Sequence, residues 1–293
     1  MNKKSAVFIL LFLFLCLFVN ETFGQLDVRY EPTSYEIVDQ MLELANVSGD
    51  DILYDLGCGD GRIVITAAKR FGIRGIGIDM DPVRIKESRE NAVKAEVTGT
   101  VQFIEQNLFE AEISEATVVT LYLLPWVNLK LRPKLFHDLK AGTRIVSHEH
   151  YMGEWLPDRK LELKSGGRIH DVYFWILPAN VSGMWEWTMS ESNEEQQYKL
   201  NLSQNFQYVS GNITTGETPV QITDISLEGN KIQFTYEANI GGQSVNHKFD
   251  GLVNGNSING TIQINSGANS RESKWSAKRD PSTIIPIDDR PSP

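Results

Sequence analysis

Between residues 55 and 62 the chain reads Asp55-Leu56-Gly57-Cys58-Gly59-Asp60-Gly61-Arg62, a glycine at every second position directly after the short apolar run from Ile52 to Leu56. A run of that length reads as a buried strand. Glycines at 57, 59 and 61 let the backbone turn tightly and approach a ligand without Cβ interference, at the start of the helix that Ile63 to Phe71 predicts and Gly72 stops. Strand, glycine turn and helix in that order commit this part of the chain to an α/β sheet. The dinucleotide fingerprint is excluded, because it needs Gly or Ala at 62 or 64, where Arg62 and Val64 stand. No Lys-Ser/Thr pair follows, so the turn is not a P-loop. A carboxylate ahead of it, Asp55, is the reverse of what a diphosphate needs and suits a cationic ligand.

The alternation continues to about residue 178. Thr33-Ser34-Tyr35-Glu36 has the capping-box spacing, and Ile37, Val38, Met41, Leu42 and Ala45 recur on one helical face. Gly75 to Asp79 gives a second strand, and Asp81-Pro82 supplies an N-cap with proline at the first helical position. Further strands are expected at Val101 to Glu105, Thr117 to Tyr122, Thr143 to His148 and Val172 to Leu177, with a helix around Lys134 to Leu139. This pattern implies a largely parallel sheet with right-handed crossovers.

Composition shifts near residue 180 to Asn, Gly, Ser and Thr with period-2 apolar positions: Trp185, Trp187 and Met189, or Ile232, Phe234 and Tyr236. Gly229-Asn230 and Asn254-Gly255 between such runs are hairpin signals, and six to eight strands closed as a small all-β barrel or sandwich are expected. Trp185, Trp187 and Trp275 either line a ligand cavity there or plug a barrel end as core. Residues 281–293 hold four prolines and read as a disordered tail. At the other end Lys3 and Lys4 precede an apolar run from Ala6 to Val19, followed by Asn20 to Thr22 and Phe23-Gly24. That is the pattern of a signal peptide cleaved after Gly24, too short to cross a bilayer as a relaxed helix. Export to a periplasm or out of the cell is expected, with membrane anchoring through residues 6–19 as the alternative. The expected divisions are thus 1–24, 25–180, 181–280 and 281–293. The chain carries 28 Lys and Arg against 38 Asp and Glu, a poor balance for coating nucleic acid. Its two cysteines, Cys16 and Cys58, form no disulfide or zinc framework.

Asp55-x-Gly57-x-Gly59-x-Gly61, then Gly75-Ile76-Gly77-Ile78-Asp79, then Glu105-Gln106-Asn107-Leu108-Phe109 resemble, in order and separation, the motifs of class I S-adenosylmethionine methyltransferases. The resemblance implies a Rossmann-like seven-stranded sheet and S-adenosyl-L-methionine as cofactor. It also implies that Asp55, Gly57, Cys58 and Gly59 form the cofactor turn, that Asp79, followed by Met80, accepts the ribose hydroxyls, and that Asn107 and Leu108 meet the adenine. More narrowly, the chain is similar to protein-lysine methyltransferases of the mitochondrial inner membrane, which modify the ATP synthase c-subunit or the adenine nucleotide carrier, and to their prokaryotic relatives. Tyr30-Glu31-Pro32-Thr33-Ser34, the run from Asp55 to Ile65, and Leu124-Pro125-Trp126 through Lys134-Leu135 carry that similarity. In the subgroup the first of these closes over the cofactor, which implies Tyr30, Pro32 and Thr33 at that site. The mitochondrial enzymes lack the β region, and Trp126 matches no position of their pattern.

An amine, above all a protein lysine, is the expected methyl acceptor. No Asp/Asn-Pro-Pro-Tyr quartet, which grips amide or nucleobase nitrogens in such enzymes, follows the fourth strand. Tyr122, Pro125 and Trp126 stand there instead and are the expected acceptor-side residues. Either the two aromatics stabilise an ammonium by ~0.5–2 kcal/mol of cation–π attraction, or they are packing residues beside a sheet end. His148-Glu149-His150 offers no third metal ligand by spacing, so no metal is expected. The alternatives are a non-catalytic S-adenosylmethionine or S-adenosylhomocysteine binder and a small-molecule methyltransferase. The β region is expected to dock a partner or substrate, and membrane contact to occur only through the N-terminal segment.

Overall fold

The computed structural model describes residues 30–288, apart from 192–193, 217, 241 and 268. The expected signal or anchor segment lies outside the described residues. The chain divides into two units, one ending at Pro32 and one starting at Thr33. Of the first, Tyr30, Glu31 and Pro32 are described, without regular secondary structure.

The second unit opens with α1 (Tyr35–Leu44), β1 (Ile52–Leu56), α2 (Arg62–Phe71), β2 (Arg74–Asp79), α3 (Pro82–Lys94), β3 (Val101–Glu105) and β4 (Val118–Leu121). It continues with α4 (Pro125–Asp138), β5 (Arg144–His148), β6 (Arg159–Ser165) and β7 (Arg168–Ile176). These strands form one sheet in the order β3-β2-β1-β4-β5-β7-β6. The first five run parallel, while β7 is antiparallel to both β5 and β6. The Rossmann-like seven-stranded sheet is therefore present.

The central strands are buried on both sides, as a parallel sheet covered by helices requires. Leu53, Val118, Val146 and Phe174 pack one face against Ile37, Met41 and Val64 of the helices. Tyr54, Val119, Ile145 and Trp175, one position over, pack the other face with Leu131 and Leu135 of α4. Asp81 caps α3 by accepting from Val83 N–H at 2.8 Å, as its sequence predicts. The α1 cap differs by one residue: Ser34 accepts from Ile37 N–H, which frees Thr33 for another role. Two elements depart from expectation. Strand β6, Arg-Lys-Leu-Glu-Leu-Lys-Ser, is an exposed edge strand without an apolar run, and α4 begins at Pro125 rather than near Lys134.

From 183 onward the described residues form nine antiparallel strands: β8 (Gly183–Glu191), β9 (Glu194–Asn205), β10 (Tyr208–Thr214), β11 (Pro219–Gln221), β12 (Thr223–Glu228), β13 (Lys231–Ile240), β14 (Gln243–Asn254), β15 (Ser257–Ser266) and β16 (Asn269–Arg279). Their order is β11-β10-β9-β8-β16-β15-β14-β13-β12. The end strands β11 and β12 are consecutive in the chain, so the sheet curls into a nearly closed barrel. The predicted turns at 229–230 and 254–255 join β12 to β13 and β14 to β15. Trp185, Trp187 and Trp275 are buried core, with Trp187 stacked on Tyr198 at 5.1 Å and 5.1 Å from Trp275. Phe234 and Phe249 stack at 4.6 Å in the same cluster, so aromatic rings fill this interior.

Barrel and α/β sheet belong to the same compact unit. Phe206, in the β9–β10 turn, is buried against Trp155 and Phe136 of the α/β part. Gln207 donates to the Leu156 carbonyl at 2.8 Å, and the Ala179 N–H donates to the Gly229 carbonyl at 2.8 Å. The described part of the predicted disordered tail is folded back. Pro281–Thr283 is a 3-10 turn, Asn180 donates to the Ile285 carbonyl, and the fully buried Asp288 carboxylate pairs with Arg132 of α4. These polar, long-range contacts hold a segment whose composition offers little to bury. Residues 289–293 lie outside the described residues.

Candidate active site

Strand order reverses about β1, whose neighbours β2 and β4 lead away in opposite directions. The crevice at the carboxyl ends of such strands is where open α/β sheets bind ligands. The glycine turn occupies that position. Gly57, Gly59 and Gly61 all take positive φ, and a Cβ at Gly61 would lie 2.6 Å from the Phe103 ring. Gly61 caps α2 from the left-handed region without a side-chain hydrogen bond.

The turn spends its first amides internally. Gly57 and Cys58 N–H both donate to the Ile78 carbonyl, and Gly59 N–H donates to Asp79 Oδ2 at 2.9 Å. A diphosphate would need those donors, so the geometry agrees with the sequence in rejecting one. Three carboxylates gather instead. Asp55 is buried and accepts from the Thr120 hydroxyl at 2.8 Å, its partner in the β1–β4 register. Burial pushes its carboxyl up to about 7, and the nearby Asp79 and Asp60 push the same way against the Thr120 hydrogen bond. Asp79 also accepts from Asp81 N–H, which fixes its carboxylate at the end of β2. Asp60 binds Arg62 through both oxygens, with Arg62 Nη2 to Asp60 Oδ2 at 2.6 Å. The charges that act on Asp55 are thus carboxylates, and a positively charged ligand is what would favour its ionised form.

Cys58 contributes backbone alone. Its side chain points into the core beside Gly77, and burial with the neighbouring carboxylates raises its thiol pKa far above the physiological range. Met80 is exposed, and Leu108 is buried. Asn107 holds a local turn, accepting from Phe109 N–H at 3.1 Å and donating to Glu110. Thr33 is brought to the site from before α1: its carbonyl accepts from Arg62 Nη1 at 2.9 Å, and its hydroxyl lies 3.1 Å from His148 Nδ1. Tyr30 and Pro32 belong to the other unit.

Of the residues expected on the acceptor side, Tyr122 follows β4 and packs over His148, ring centroids 4.1 Å apart. Pro125 and Trp126 are exposed on the first turn of α4, with Trp126 48% exposed. His148 is buried and its pKa is driven down to about 3, first by burial and then by His170 and Arg168, so it is neutral. Its Nε2 lies 3.0 Å from His170 Nδ1. Sequence spacing missed this partner, because only the β5–β7 pairing brings residues 148 and 170 together. Thr120 and Asp60 were also missed, and the strand register and the αL turn are the signals that place them.

A buried acidic residue on β1, a glycine turn closed against β2 and a carboxylate at the β2 end, in this strand order, define an S-adenosylmethionine-dependent methyltransferase of class I. Residues 55–159 match the family model of the ANTKMT methyltransferase domain. A protein-lysine N-methyltransferase of Saccharolobus islandicus is 48% identical over 151 residues, which cover 51% of this chain and 94% of that protein. The human lysine N-methyltransferase of the ATP synthase c-subunit is 26% identical over 141 residues, 48% of this chain and 60% of that one. Among solved structures, an RNA methyltransferase from Salinibacter ruber in complex with S-adenosyl-L-homocysteine shares 55% identity, covering 50% of this chain and 93% of that chain, with a TM-score of 0.48. The chain belongs to the methyltransferase family of the archaeal enzyme, and S-adenosylmethionine is its methyl donor.

Proposed function

We propose that this enzyme methylates the side-chain amine of a protein lysine. The observation that carries the reading is the 48% identity to the archaeal protein-lysine N-methyltransferase across 94% of that protein's length. S-adenosylmethionine supplies an electrophilic methyl group on a sulfonium, and displacement at that carbon disperses positive charge. The protein then has mainly to bind, align and dehydrate the reactants. Asp55 and Asp79 present carboxylates suited to the cofactor's positive charge and ribose hydroxyls. Leu108 and the Asn107 turn form the adenine side, with Gly57 and Gly59 shaping the close approach and Cys58 and Met80 flanking it. Thr33, at the start of this unit, is tied to the turn through its carbonyl and Arg62. Tyr122, Pro125 and Trp126 form the acceptor side, where an aromatic face favours an ammonium over a neutral amide.

The test is incubation of the purified protein with methyl-labelled S-adenosylmethionine and total protein or total RNA of its host, followed by mass spectrometry. Methyl-lysine in protein is the expected product, lost in Asp79→Ala. Label confined to RNA would overturn the reading. For the N-terminal segment the proposal is export with cleavage after Gly24, and N-terminal sequencing of the mature protein beginning elsewhere than Gln25 would contradict it.

A further inference from the structure

Three side chains from two strands converge behind Tyr122. His148 ends β5, Glu149 follows it, and His170 lies on β7 across the antiparallel pairing. Glu149 Oε1 is 2.9 Å from His170 Nδ1 and 3.7 Å from His148 Nε2, and the two ring nitrogens are 3.0 Å apart. A common point lies about 1.9 Å from all three atoms, close to the ~2.0–2.2 Å of zinc–nitrogen and zinc–carboxylate bonds. His148, Glu149 and His170 would hold such an ion through two imidazole nitrogens and one carboxylate oxygen. We infer that His148, Glu149 and His170 form a binding site for a divalent transition-metal ion of the zinc class.

Two further observations point the same way. Glu149 holds φ at +64°, a left-handed backbone that residues with a side chain rarely adopt, and such outliers mark places where a side chain's position is specified. The Thr33 hydroxyl, 3.1 Å from His148 Nδ1, can accept that nitrogen's N–H in a hydrogen bond, which leaves Nε2 with a lone pair aimed at the site. Metal-binding histidines are oriented in this way by a partner on the far nitrogen. Arg168 competes for the same ligands: it pairs with Glu149 at 3.0 Å and donates to His170 Nε2 at 3.2 Å. An ion at this point would displace the half-exposed Arg168 guanidinium from Glu149.

The test uses untagged full-length protein stripped with a chelator and dialysed. Calorimetric titration with zinc should give one site per chain, and cobalt should produce the visible absorption bands of a low-coordinate nitrogen and oxygen environment. His170→Ala and Glu149→Gln, checked for folding by circular dichroism, should each weaken binding by more than the ~10–100-fold that loss of an outer partner costs, and Thr33→Val by about that amount. His137→Ala, at an exposed histidine elsewhere, should leave it unchanged. No stoichiometric uptake by the wild type, or equal uptake by folded His170→Ala, overturns the site. If His170→Ala does not fold, loss of uptake in Glu149→Gln supports the site and full retention there refutes it.

Discussion

In the proposed cofactor site Asp55 is the buried carboxylate, held by the Thr120 hydroxyl. Its carboxyl is pushed up to about 7 by burial and by Asp79 and Asp60, whereas an unfolded aspartate sits near ~3.9. The native protein therefore holds this proton more tightly than the unfolded chain. The associated stability is complete below the unfolded value, falls as pH rises from about 4 to about 7, and is fully lost above that. Asp55→Asn removes the loss, so its melting temperature should gain on the wild type between about pH 4 and pH 7 and no further above. Binding of a cation runs the opposite way: affinity for S-adenosylmethionine should climb through about pH 7 in the wild type, and calorimetry on Asp55→Asn should show weaker binding without the climb. A flat wild-type profile would show that Asp55 does not face the cofactor's charge. This residue was legible in the sequence, since a carboxylate before a glycine turn is chemically particular. His170 was not, because its neighbours come from strand pairing and no spacing rule encodes them.

Among elements, the turn between β1 and α2 was legible in detail, down to Gly72 as the stop of α2. Its glycines answer a steric demand that local sequence displays: a Cβ at Gly61 meets the Phe103 ring at 2.6 Å and Ser88 Cβ at 2.9 Å, on a backbone with φ of +78°. Gly61→Ala should cost roughly 1–3 kcal/mol in chemical denaturation, with cofactor affinity falling as the turn opens. Strand β6 was illegible for the opposite reason. As an edge strand it exposes charged side chains and buries little, so neither periodicity nor propensity marks it. The start of α4 is hidden by Pro133 inside the helix, which reads locally as a break. Thr33 misled differently: its capping-box spacing is genuine, yet Ser34 caps the helix and Thr33 turns to His148.

For the whole molecule, the composition shift near residue 180 falls between β7 and β8, yet sheet and barrel belong to one compact unit, which composition does not reveal. Their contacts are long-range and partly polar, with Phe206 buried among Trp155 and Phe136, and Arg132 paired with Asp288. Phe206→Ala should destabilise by ~3–5 kcal/mol, and the loss should appear as one cooperative transition for both parts. Asp288→Ala leaves Arg132 buried without its carboxylate, at about 3–5 kcal/mol, a result that would not occur if 281–288 were a free tail. Two separate unfolding transitions in the wild type would contradict the single unit.

We propose that methyl transfer by this chain depends on the β1–β2 carboxylates and the glycine turn holding S-adenosylmethionine. The decisive measurement is isothermal titration of the wild type, Asp55→Ala and Asp79→Ala with S-adenosylmethionine and with S-adenosylhomocysteine. One site per wild-type chain is expected for both ligands. Asp79→Ala should weaken the two alike, and Asp55→Ala should weaken the charged sulfonium form more. Absence of binding by the wild type, or affinities that neither substitution changes, would contradict this assignment of the site.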